Sequence, residues 1–124
     1  MIWVLEERRR RRSIDRQTAL RYQLEHSREV GGIEAMALGD GTGLMVAFSG
    51  DPAVCAEMAA IAPVMGRVAL GARSSPLLRG TDMSVRAVRL FGQELFLVTA
   101  GGGVARDAIV ETCARGMERI LKSN

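Results

Sequence analysis

Few residues in this chain are of a type that does chemistry, and their spacing decides what they can do. The single histidine, His26, follows Glu25 and lies near Arg21 and Arg28. Its neighbours are charged and local, so it reads as an exposed helical residue. No nucleophile, base and orienting group can be assembled around it. Asp40, Asp51 and Asp82 each occupy a turn or cap position, which accounts for them without a paired-carboxylate site. Cys55 and Cys113 fall on expected apolar helix faces, with no Cys or His at metal-ligand spacing. They read as buried structural thiols, with a disulfide between them left open. The glycine-rich turns Gly39–Gly43 and Gly101–Gly103 raise a phosphate-loop reading, because the second follows an expected strand and precedes an expected helix. It lacks the spacing of a dinucleotide fingerprint and the Gly-Lys-Ser/Thr end of a P-loop. Two tight turns explain these glycines more simply. Met36, Met45, Met58, Met65, Met83 and Met117 read as core filler, some of them at an adaptable interface. The expectation is a protein without catalytic residues, metal or cofactor of its own.

One cluster is of a different kind. Arg8, Arg9, Arg10, Arg11 and Arg12 stand in unbroken succession, followed by Arg16, Arg21 and Arg28. The net charge is only +3, and without the run the rest of the chain is close to neutral or slightly acidic. Such a run is either a solvated arm or an arm for a phosphate-rich or acidic partner. Nucleic acid fits poorly, since no aromatics are interleaved for stacking and no binding motif is present. The apolar residues Ile2-Trp3-Val4-Leu5 precede the run and have the option of docking on a partner or on the domain. They are too few for a signal segment and stand on the wrong side of the arginines. No apolar run approaches the roughly 18–20 residues of a membrane span. A reducing, cytoplasmic setting is expected.

The rest of the chain must supply the frame. Its 124 residues suit one domain, and hydrophobic residues make up 48% while aromatics make up 4%. The core must therefore be built from aliphatic side chains and methionine. Ser13 is a candidate N-cap for a first helix ending at Gly31-Gly32, although the helix has the alternative of starting near Leu5 because arginine favours helices. Ile14, Leu20, Tyr22 and Leu24 supply its apolar stripe. Ile33–Leu38 and Leu44–Phe48 flank a Gly-Asp-Gly-Thr-Gly turn, a hairpin signal. The apolar run Leu44–Phe48 suits a central strand buried on both faces. Asp51-Pro52 is the clearest helix start. The helix that follows has Val54, Met58, Ile61, Met65 and Val68 at helical spacing, and only Glu57 and Arg67 are charged between Asp51 and Arg73. A helix with one wet face should be more polar, so a subunit interface is expected on it. Pro63 should kink it or end its first half. Ser74–Asp82 reads as loop, Val85–Leu90 and Glu94–Ala100 as a second strand pair, and Asp107–Lys122 as a half-exposed third helix.

In this order the chain resembles the roadblock family from about Leu20 to Leu121. Gly32-Ile33-Glu34-Ala35 leading to Asp40-Gly41-Thr42-Gly43-Leu44-Met45-Val46-Ala47 carries the likeness, with the alanine-rich helix and the closing Leu95–Val98 strand. The resemblance implies an α+β sandwich in the order α-β-β-α-β-β-α, an antiparallel sheet of four to five strands between helices. Residues 13–124 would be that single domain and residues 1–12 an apolar, Arg-rich arm. It also implies a non-catalytic homodimer, with Met58, Ile61, Ala62 and Met65 expected at the interface. Its partner would be a small Ras-like GTPase, with any activating role exercised only through that partner. Two features depart from the family pattern: the short Ser74–Asp82 region and the arginine arm. The alternative readings are a small-ligand-sensing module or a generic structural assembly subunit.

Overall fold

The computed structural model describes residues 2–68, 83–90, 92–102 and 106–122. Ser74–Asp82, read from the sequence as loop, and Phe91 and Gly103 lie outside the described residues. The elements follow the expected order: α1 (Ile2–Gly31), β1 (Ile33–Asp40), β2 (Met45–Ser49), α2 (Pro52–Val68), β3 (Met83–Leu90), β4 (Gln93–Gly101) and α3 (Arg106–Lys122). Among the described residues the sheet has four strands, ordered β2-β1-β4-β3 and antiparallel throughout.

Each face of the sheet buries a separate core. Helices α1 and α3 cover one face, where Leu20, Leu24, Val110, Cys113 and Met117 pack on Met36, Leu38, Val88 and Leu97. Helix α2 covers the other, where Cys55, Met58, Ala59 and Ala62 pack on Ala35, Ala37, Phe96 and Val98. The alternation of side chains along each strand feeds both cores. It breaks in β2, where the register against β1 shifts and Val46 and Ala47 face the same core, and at the start of β1. There the register against β4 shifts between Ile33 and Ala35, so that Ile33 and Met36 face the same core.

Four expectations are changed or narrowed here. The run through Leu44–Phe48 forms an edge strand and not a central one; the central strands are β1 and β4, and β4 is buried from Leu95 to Ala100. A run of apolar residues reports two covered faces but says nothing about neighbours in the hydrogen-bonding direction. The helix α1 starts at Ile2, so Ser13 is an interior helical residue, as the absence of Gly and Pro from Ile2 to Val30 allows. Ile14 and Tyr22 leave the expected stripe and are 64% and 60% exposed. Tyr22 lies about 200° around the helix from Leu20, on the solvent side. Helix α2 runs through Pro63 to Val68, with Pro63 buried.

Candidate functional site

The surface that stands out is built around α2, and local chemistry fixes where that helix sits. Asp51 caps it: its Oδ1 accepts from the backbone N–H of Ala53 at 2.9 Å and of Val54 at 3.1 Å. The Asp51 carbonyl accepts from the N–H of Cys55 at 2.9 Å. Pro52 occupies the first helical position, where a missing N–H costs nothing. The β1–β2 turn is held by Asp40, whose Oδ1 accepts from Thr42 Oγ1 at 2.6 Å, Thr42 N–H at 2.9 Å and Leu44 N–H at 3.1 Å. These bonds, the Thr42 hydroxyl first, hold the Asp40 carboxyl below its ordinary value of 3.8. The turn then lies directly on α2. Gly43 has φ +89°, and a Cβ there would come within 3.2 Å of Ala60 backbone atoms. Glycine is required on both counts.

The helix presents two unlike faces. Met58 and Ala62, expected at a subunit interface, are 0% exposed within the single chain and pack under the sheet. Ile61 and Met65 are half-buried at the margin of that core. The outward side carries Ala53, Ala56, Glu57, Ala60 and Val64, all exposed, with Val64 at 63%. Leu44, beside Gly43 in the turn, is 67% exposed. Of the four residues expected at an interface, the single chain therefore already uses Met58 and Ala62 in its core, and Ile61 and Met65 lie at the margin of that core. Ala56, Ala60, Val64 and Leu44, which the sequence did not single out, are the exposed small and apolar residues on the outward side. The scarcity of charge on α2 was a signal for an interface, but it did not say which side faces out.

The other candidate residues are spread over the molecule. Arg8, Arg9, Arg10 and Arg11 are exposed on the N-terminal turns of α1, where Glu7 and Arg11 form an i,i+4 ion pair at 3.8 Å. The helix meets the sheet further on, where Gln17 Nε2 donates to the Val46 carbonyl and Arg28 Nε donates to Ser49 Oγ at 2.8 Å. His26 is exposed on the same helix. Cys55 and Cys113 are free thiols in the two separate cores, on opposite faces of the sheet, which rules out a disulfide between them. Burial pushes both thiols up. Among the described residues, no three His, Cys, Asp or Glu side chains gather as metal ligands, and no helix is long and apolar enough to cross a membrane. A groove of about 180 Å³ between α1 and β2 is lined by Gln17, Thr18, Arg21, Val46, Ala47 and Phe48. It is smaller than the roughly 300–1,000 Å³ of ordinary small-molecule sites.

No known family model and no curated protein matches the sequence. Solved structures do match the fold. Myxococcus xanthus MglB superposes with a TM-score of 0.57 at 11% identity, over 86% of this chain and 90% of that one. An MglB in a tetrameric arrangement gives 0.55 at 14% identity, over 85% and 89%. The Roadblock/LC7 domain from Streptomyces avermitilis gives 0.54 at 17% identity, over 83% and 98%. At such identities the likeness speaks for the fold, and this chain has the roadblock fold.

Proposed function

We propose that the protein is a non-catalytic, self-associating platform that binds a small Ras-like GTPase. The observation that carries the reading is the charge-poor outer side of α2, where Glu57 is the one charge among the described side chains. Ala56, Ala60 and Val64, flanked by Leu44, form an apolar strip that the chain itself leaves uncovered. Small side chains there let a second copy of the helix approach closely, and an isologous pair buries the strip on both copies at once. Ile61 and Met65, half-buried at its margin, would complete the contact, whereas Met58 and Ala62 would support it from below. One structural neighbour is an MglB in a tetrameric arrangement, in keeping with self-association. The GTPase partner rests on the roadblock likeness. The ligand-sensor alternative would need a larger apolar pocket than the groove beside β2.

The reading is tested with purified protein and a small Ras-like GTPase encoded in the same genome. The GTPase is loaded with GDP or with a non-hydrolysable GTP analogue and titrated by calorimetry. Binding that prefers one nucleotide state is expected. Failure to bind either state, by a protein shown to self-associate, would reduce the function to assembly alone.

A further inference from the structure

We infer that the N-terminal turns of α1 bind an anionic membrane surface. Residues 6–12 hold five arginines against Glu6 and Glu7. Arg8 to Arg11 are all exposed. They belong to a continuous helix, so consecutive arginines point about 100° apart and charge is presented around the whole circumference. No single face is basic, as it would be in a helix built to lie in one groove. A layer of lipid phosphates meets such a cylinder from every side. The turn preceding the arginines is Ile2-Trp3-Val4-Leu5, in the same helix. An apolar turn next to a basic cluster supplies the two signals that a stable peripheral anchor needs. Tryptophan is the residue favoured at the level of the headgroups. Nucleic acid would satisfy the arginines but leave the apolar turn without a role. From Ile2 to Gln17, the first α1 side chain described as bonding to the sheet, the helix is roughly 20 Å long. The arm thus reaches a surface without the domain having to touch it. This inference stands on the arm alone and is independent of the GTPase reading.

Trp3 is the only tryptophan in the chain, so its fluorescence reports the arm directly. The full-length protein is titrated with phosphatidylcholine vesicles, with and without phosphatidylglycerol, at low and at high salt. Binding to the anionic vesicles should be stronger by more than about tenfold, weaken with salt, and shift Trp3 emission to the blue. Replacing Arg8, Arg9, Arg10, Arg11 and Arg12 together with Gln keeps good helix formers and should reduce binding to the level of the neutral vesicles. Circular dichroism checks that the domain of this variant still folds. Trp3→Ser should weaken binding by a smaller factor in a sedimentation assay. Equal affinity for both vesicle types, or an unshifted Trp3 emission, would overturn the inference. So would a short DNA or RNA duplex that binds the arm more tightly than the anionic vesicles at the same salt.

Discussion

Helices α2 and α3 have seventeen residues each and cover opposite faces of one sheet, yet their outer sides differ. Helix α3 buries Val110, Cys113, Ala114 and Met117 and turns Asp107, Thr112, Arg115, Arg119 and Lys122 to solvent. It is finished as a surface helix. Helix α2 buries Cys55, Met58, Ala59 and Ala62 as completely, but its outer side carries alanines and Val64, with Glu57 as the exposed charge among its described side chains. Sheet packing is equally satisfied in both, so it does not explain the difference. What α2 lacks is a side rich in charge, and that outer side is the one the proposed contact between copies would cover.

The largest effect should come from putting charge on that outer side. Val64→Glu, alone or with Ala56→Glu, is expected to weaken self-association by more than about a hundredfold, since a buried unpaired carboxylate is costly. Thr112→Glu, at an exposed position on α3, should leave the assembly unchanged. Sedimentation velocity over a concentration series separates the two outcomes. Next come the inner sides, where the helices should behave alike. Met58→Ala in α2 and Met117→Ala in α3 should each cost about 2–5 kcal/mol in chemical denaturation, because both side chains are fully buried. A Met58→Ala variant that lost self-association but kept its stability would place Met58 at the interface after all.

A smaller loss, about 1 kcal/mol, is expected for Asp51→Ala, which removes the cap of α2. The smallest concerns α3. Arg86 bonds Glu111 through Nε at 2.9 Å and Nη2 at 3.1 Å, but both side chains are more than a third exposed. Glu111→Gln should cost at most about 1 kcal/mol, and less at high salt. The Arg86 guanidinium holds the Glu111 carboxyl below its ordinary 4.5, just as Asp40 is held below 3.8. Each group binds a proton more weakly in the folded chain than in the unfolded one. Their contributions are therefore complete above the ordinary values and lost as pH falls through the lowered ones. Acid titration of the melting temperature should show this loss only below about pH 4.5. Asp40→Asn should remove part of it.

Much of the fold could be read from local chemistry. Asp51-Pro52 and the Gly39–Gly43 turn are signals complete within a few residues, and both sit where they were expected. The order of elements followed from them. The outer side of α2 could not be read in the same way. A helical pattern takes its phase from the contrast between wet and dry sides, and α2 is apolar almost all round. Met58 and Ala62 were therefore indistinguishable from Ala60 and Val64 until the sheet showed which pair it covers. The position of β2 was hidden for a related reason. Its side chains report the layers above and below, while its place at the edge depends on pairings with β1 and β4 that are distant in sequence. The start of α1 was open because arginine, glutamate and alanine favour helix whether or not anything packs on them.

The most direct test is the solution mass by light scattering, measured on the full chain and on its Val64→Glu variant. The wild type should have the mass of two or more 13.4 kDa chains, and the variant the mass of one. A wild-type monomer, or an assembly untouched by Val64→Glu, would contradict the assignment of the outer side of α2 as the contact between copies.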